Sequence, residues 1–199
     1  MKRNLIAALA AATIAALALP AHAGNIIDEW ASVKAPAAPA LKPAQVDIKT
    51  TALLVIDMVA ETCNAKARPR CVETIPAVQK LLNDARARGM AVIYSLGPAG
   101  NNIVEVLAPK NGEPIIKSGA DKFVNPEFEK MLKDKGIVCV IVVGTLANGG
   151  VLHTASQAAL RGFKVVVPVD GMSSPNLDTL YAEQYTACLL YTSPSPRDS

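Results

Sequence analysis

Aromatic residues are scarce in this chain: three Phe, four Tyr and one Trp among 199 residues, and no basic–aromatic platform of the kind on which single-stranded nucleic acids stack. Histidine is scarcer still. Of the two, His22 lies in an N-terminal segment read below as a leader, so His153 is the one histidine left and a histidine-based metal site is not expected. Charged residues make up 19% and the formal net charge is only +3, which excludes the strongly basic surface that nucleic acid or anionic lipid requires. No internal repeat is visible. What the chain does have is apolar residues, 51% of the total, enough for a well-buried core.

The ends read differently from the middle. Met1-Lys2-Arg3, an Ala/Leu/Ile run to Leu19 and Pro20-Ala21-His22-Ala23 have the charged, apolar and small-residue regions of a secretory signal peptide cleaved after Ala23. The run is short for a bilayer span of roughly 20 residues, so export to the periplasm or the medium is expected rather than anchoring. At the other end, Cys188 to Asp198 is similar to the in-frame translation of a transposase adapter used in sequencing-library preparation, and 188–199 is therefore set aside from fold and site reasoning. Residues 24–50 read as an N-terminal arm with an Ala/Pro stretch, Lys34 to Pro43, and 51–187 as one domain. Without Lys2 and Arg3 of the leader, and the mutually cancelling Arg197 and Asp198, the formal charge is +1.

Of the four cysteines, Cys188 belongs to the tail and Cys139 lies within an apolar run as a core residue. Cys63 and Cys71 flank a short polar loop. In an oxidising compartment a disulfide closing it is the expected reading; a metal pair would lack further ligands.

Thr51 to Met58 is a near-continuous apolar strand, followed by helical spacing over Pro76–Gly89 and a strand at Met90–Ser95. A third strand is expected at Glu113–Lys117, a helix at Glu127–Gly136, a fourth strand at Ile137–Thr145, a helix at Val151–Gly162, a fifth strand at Lys164–Asp170 and a last helix at Leu177–Ala187. Strands apolar on both faces and alternating with helices indicate a parallel sheet covered on both sides, an α/β fold of three layers.

Candidate functional residues fall at strand ends. Asp57 follows Leu53-Leu54-Val55-Ile56, at the carboxyl edge where open α/β sheets bind ligands; capping a turn is the alternative. Gly144-Thr145-Leu146-Ala147-Asn148-Gly149-Gly150-Val151-Leu152-His153 joins the fourth strand to a helix through a Gly/Asn turn that aims backbone N–H groups at a ligand. Lys117 ends the third strand, with Lys122 as its rival. His153, one turn into the helix, is read as a helical residue without a role, and Asp170, Ser173 and Ser174 as structural.

These motifs, in this order, resemble the isochorismatase-like hydrolases, also called the cysteine hydrolase family, from roughly Thr51 to Ala187. The resemblance implies a mostly parallel, doubly wound sheet with a final edge strand that this chain lacks, and a homo-oligomer. It implies Asp57 as the catalytic aspartate and Lys117, six residues before Phe123, as its partner. It places substrate against Leu146, Ala147, Asn148 and Phe123, and puts a non-proline cis peptide between Thr145 and Leu146.

Most members carry a nucleophilic cysteine where this chain has Gly150. True isochorismatases resemble this chain in having glycine there, with an Ala-His-x-Gly turn similar to Ala147-Asn148-Gly149-Gly150. They hydrolyse a vinyl ether, which needs an acid rather than a nucleophile. The expectation is a small-molecule hydrolase that needs no cysteine and no cofactor, with Asp57 as general acid/base. A catalytically inactive periplasmic binding homologue is a second reading, and a cysteine amidohydrolase altered at position 150 a third. Val59-Ala60-Glu61-Thr62 and Asn148 depart from the family pattern, and the metal motif of nicotinamidases is absent. Cys63 as a substitute nucleophile is less apt than its disulfide with Cys71.

Overall fold

The computed structural model describes residues 24–175 and 180–192. Residues 24–36 belong to a unit of their own, with one short 3-10 turn at Trp30–Ser32. The expected leader and most of the expected tail lie outside the described residues.

From residue 37 onward the chain builds one parallel sheet. Its strands are β1 (Thr51–Ile56), β2 (Ala91–Leu96), β3 (Ile115–Lys117), β4 (Cys139–Thr145), β5 (Lys164–Val166) and β6 (Met172–Ser173). They are ordered β3-β2-β1-β4-β5, with β6 also paired to β4. Helices α1 (Pro69–Ala87), α2 (Pro126–Asp134) and α3 (Leu152–Leu160) connect β1 to β2, β3 to β4 and β4 to β5, and α4 (Tyr181–Thr192) follows β6. The strand order reverses between β1 and β4, and the loops leaving those strands therefore diverge and open a crevice at their carboxyl ends.

β1 is buried at every position, as its uninterrupted apolar run requires of a central strand. Leu53 and Val55 face α1, whose Cys71, Thr74, Val78, Leu82 and Ala85 recur at three- and four-residue intervals on one stripe. Ala52, Leu54 and Ile56 face the opposite layer, with Phe128 and Leu132 of α2 and Ala155 and Ala158 of α3. Each fully buried leucine or isoleucine in these layers contributes about 1.5–3 kcal/mol. The α/β architecture is the one expected.

Several boundaries differ from the sequence reading; the last helix, expected over Leu177–Ala187, runs over Tyr181–Thr192 and takes in residues 188–192 of the expected tail. Pro76 was expected to open the first helix, but α1 begins at Pro69 and carries Pro76 inside it. Tertiary ties hold the two added turns. Cys71 is disulfide-bonded to Cys63, and Arg70 makes a bidentate pair with Glu183 of α4 (2.9 and 3.0 Å). Glu183 also accepts the Ser174 amide at 2.8 Å, while Ser174 Oγ accepts the Glu183 amide, so α4 is latched to the end of the sheet. The fifth strand, expected over Lys164–Asp170, also differs: it ends at Val166, and Met172–Ser173 forms a short strand of its own. Lys164–Val166 and Met172–Ser173 pair with successive stretches of β4, and a turn closed by Gly171 N–H to Pro168 O (3.0 Å) separates them. Asp170 lies exposed in that turn, whereas Ser173 and Ser174 are buried.

Candidate active site

Asp57 is the first residue past β1 and has a positive φ of 51°, uncommon for a residue with a side chain. Its N–H donates to Ser95 O at 3.2 Å and its own carbonyl accepts from Val59 N–H at 2.9 Å. This sharp exit turns the carboxylate across the ends of the neighbouring strands. Ser95, paired with Ile56 in the β1–β2 register, donates its hydroxyl to Asp57 Oδ1 at 2.8 Å. Beyond it, a Cβ on Gly97 would stand 2.9 Å from Asp57 Oδ2, so glycine keeps that side of the carboxylate clear.

The cation paired with Asp57 is Lys122, not Lys117. Lys122 Nζ donates to Oδ1 at 2.9 Å and Oδ2 at 2.7 Å, and also to Gly119 O at 2.6 Å. Its side chain is fully buried and that of Asp57 is 15% exposed. Local chemistry carries it inward. Asp121 caps the following 3-10 turn by accepting Phe123 N–H at 2.8 Å, and Thr154 of α3 holds the Lys122 amide at 3.4 Å and Ala120 O at 3.3 Å. Lys117 fails for a topological reason. It lies on β3, the edge strand, separated from β1 by β2 and thus about 10 Å away laterally. Only Ile116 of β3 is buried; Lys117 is exposed.

Phe123 also has a different place from the expected one. It is buried in the core, 4.9 Å edge-to-face from Phe128 and 6.0 Å from Phe163, with the Arg161 guanidinium 4.6 Å from its ring centroid. Its packing anchors the Lys122 loop rather than lining a pocket.

Opposite Asp57, β4 runs into the Gly/Asn turn. Gly144 has φ 130° and lies against Ile56, whose carbonyl oxygen would be 2.0 Å from any Cβ there. The Thr145–Leu146 peptide bond is cis. Leu146 O accepts Gly149 N–H at 3.0 Å and Val151 N–H at 3.2 Å, rolling residues 147–151 into a wide helical turn that leads into α3. Ala147 and Gly150 are buried, Leu146 is half-buried and Asn148 is exposed. A Cβ on Gly150 would stand 3.3 Å from Asp57 Oδ2 and 2.7 Å from Ile56 Cγ2. Position 150 therefore faces the carboxylate, and the Ile56 methyl occupies the space a side chain would need. His153 points to solvent.

Cys63 and Cys71 form the disulfide, with both residues buried. The loop between them starts just past Asp57 and ends at the first turn of α1. No group of three or more His, Cys, Asp or Glu residues among the described residues is placed to hold a metal ion.

Sequence reasoning missed Ser95 and Gly97 and preferred the wrong lysine. A serine in the otherwise apolar Ala91–Leu96 run was the visible signal for Ser95. For Lys122 the signal was its place between the capping Asp121 and an aromatic core residue.

The isochorismatase domain model matches residues 51–188. The secreted isochorismatase effector of Verticillium dahliae is 26% identical over 156 residues, covering 71% of this chain and 82% of that protein. Streptothricin hydrolase of Streptomyces noursei is 29% identical over 153 residues, 70% of this chain and 58% of its own. Among solved structures, an isochorismatase-like hydrolase from Alkaliphilus metalliredigens superposes with a TM-score of 0.66 at 25% identity, covering 72% of this chain and 92% of its own. With the isochorismatase domain model matching more than half of its residues, this chain belongs to the isochorismatase-like hydrolase family.

Proposed function

We propose that the protein is a hydrolase of small molecules that works without a cysteine nucleophile, with Asp57 as general acid/base and Lys122 as its proton partner. The observation that carries this reading is the Asp57–Lys122 pair facing a glycine at position 150. Vinyl ether hydrolysis fits such a site. Asp57, taking its proton from Lys122, protonates the terminal vinyl carbon; water adds to the resulting oxocarbenium carbon and returns a proton to the pair. The hemiketal then collapses to a keto acid and an alcohol. The N–H groups of Leu146 and Gly150 are the candidates to polarise a substrate oxygen, with Ala147 and Asn148 shaping the same turn.

Filling of the Cβ space at Gly150 by Ile56 Cγ2 supports glycine as the residue this site is built around, against an altered cysteine enzyme. Export to the periplasm or medium is part of the same proposal. It is supported by the signal-like N-terminus and by a relative that is itself a secreted effector. No helix among the described residues is long and apolar enough to cross a membrane. A homo-oligomer completes the proposal and is read by light scattering.

The test is pyruvate release from isochorismate by the purified protein beside Asp57→Asn. Release that the variant lacks supports the acid role. A folded protein without release on this or other vinyl ethers and amides leaves the binding-homologue reading in its place.

A further inference from the structure

The two oxygens of the Asp57 carboxylate are not equivalent. Oδ1 accepts two hydrogen bonds, from Ser95 Oγ at 2.8 Å and from Lys122 Nζ at 2.9 Å. Among the described residues Oδ2 accepts from Lys122 alone, at 2.7 Å. Glycines stand next to Oδ2. The point a Cβ would occupy lies 2.9 Å from it at Gly97, just past β2, and 3.3 Å from it at Gly150, in the turn after β4. Neither position therefore sets a side chain against this oxygen, and Oδ2 is the one left open where the chain leaves β2 and β4.

The alternation of β2 brings Ser95 to Oδ1. Val92 and Tyr94 pack in the α1 layer and Ile93 in the opposite one, and Ser95 follows Ile93 onto that second face. Lys122 comes from the same layer, its loop held by Thr154 of α3. Ser95 is buried, and a buried hydroxyl requires a partner. It donates to Asp57 Oδ1, while the Ser95 carbonyl accepts the Asp57 amide at 3.2 Å, so side chain and backbone tie the same two residues. The hydroxyl can donate to Oδ1 whether Asp57 is ionised or protonated on Oδ2, and Ser95 need not turn during proton transfer. An oxygen that accepts two hydrogen bonds is the weaker base of the two, which leaves Oδ2 to take the proton.

Resting on the reading of Asp57 and Lys122 as the reaction centre, we infer that Oδ2 is the oxygen that delivers the proton to the substrate, that Ser95 is the positioning residue that holds it there, and that Gly97 keeps its approach clear. In the first step a Lys122 N–H bond breaks as Oδ2–H forms. Oδ2–H then breaks as a C–H bond forms at the vinyl carbon, leaving Asp57 ionised and the positive charge on the oxocarbenium. The water that adds gives up a proton, which returns through Oδ2 to Lys122. Ser95 touches Asp57 and not the substrate, and acts by keeping Oδ1 turned away from it.

Pyruvate release from isochorismate by Ser95→Ala, Ser95→Thr and Gly97→Ala, beside crystal structures of the variants, tests this. Ser95→Ala should lower kcat about tenfold, the scale of one hydrogen bond to a charged group, with KM within about twofold of the parent. Ser95→Thr, which keeps the hydroxyl, should restore kcat. In the Ser95→Ala crystal the Asp57 carboxylate should be turned from its wild-type orientation. Gly97 has no positive φ, so Gly97→Ala carries no left-handed backbone penalty. Its methyl crowds Oδ2 and should lower kcat/KM about a hundredfold, the scale of a misplaced reacting group. An unmoved carboxylate in Ser95→Ala overturns the role of Ser95, and so does a kcat equal to the parent's. Wild-type kcat/KM in Gly97→Ala overturns the assignment of Oδ2. A wild-type protein that releases no pyruvate, or an Asp57→Asn protein that still does, counts against the reaction reading instead. The carboxylate in the Ser95→Ala crystal decides the positioning role in either case.

Discussion

The Lys122 ammonium lies 2.7 Å from Oδ2 and 2.9 Å from Oδ1 of Asp57, so one buried cation spans both oxygens of one carboxylate. Removing one member of such a pair leaves an uncompensated charge, at a cost of about 3–5 kcal/mol. Lys122→Met is expected to lose that much in denaturant unfolding and to lower turnover of the hydrolysed substrate by about a hundredfold or more. Lys117→Met, on the exposed edge strand, should stay within about 0.5 kcal/mol of the parent with activity intact. Equal effects of the two substitutions would contradict the pairing.

Gly150 and Ile56 form a second coupled pair. A methyl at position 150 meets Ile56 Cγ2 at 2.7 Å, and a β-branched side chain has little freedom to yield. Gly150→Ala should therefore cost about 1–3 kcal/mol by overpacking. Ile56→Ala alone costs about 2–5 kcal/mol by leaving a cavity, and the double variant should be more stable than the sum implies by at least about 0.5 kcal/mol. Strict additivity in thermal or urea unfolding would show that the two positions do not compete for one space.

The sheet was legible because its central strands are long, apolar on both faces and bounded by turns. Asp57 was legible for the same reason, since the end of a buried strand fixes where a carboxylate must emerge. Lys122 was not. Its inward course depends on Asp121 capping a turn, on Thr154 reaching across from α3 and on Phe123 seating in the core against Phe163, and the last two join segments far apart in sequence. Lys117 at a strand end looked equivalent until the strand order put β2 between it and Asp57. The early start of α1 was hidden for a related reason, because Pro76 marks a helix start locally whereas the disulfide and the Arg70–Glu183 pair act from elsewhere.

Two glycines with positive φ separate conformational from steric demand. Gly162 has φ 85° with nothing within 4 Å of the point a Cβ would occupy, so Gly162→Ala should cost only the left-handed backbone penalty, about 1–2 kcal/mol. Gly144 has φ 130° and a backbone oxygen, Ile56 O, at 2.0 Å from the corresponding point. Gly144→Ala must push β4 away from β1 and should exceed about 4 kcal/mol, seen as loss of soluble folded protein. A Gly144→Ala protein as stable as Gly162→Ala would mean that the two strands separate more easily than their pairing implies.

Tyr94 supplies an alkaline dependence whose sign can be worked out. Its hydroxyl donates to Leu107 O at 2.6 Å and accepts from Arg86 at 3.0 Å. Burial raises its phenol to about 12, the Arg86 cation opposing and Glu113 adding to the rise. The unfolded chain releases that proton near pH 10, so the unfolded state loses protons first. The contribution of the neutral phenol is thus complete below pH 10 and is lost as pH rises from about 10 to about 12. Tyr94→Phe keeps the ring in the core but gives up the hydrogen bond, about 1 kcal/mol at neutral pH. Urea unfolding from pH 8 to 12 should show the wild type losing stability more steeply than Tyr94→Phe above pH 10, so that the gap between them narrows. Parallel curves across that window would mean that the phenol ionises alike in the folded and unfolded chains.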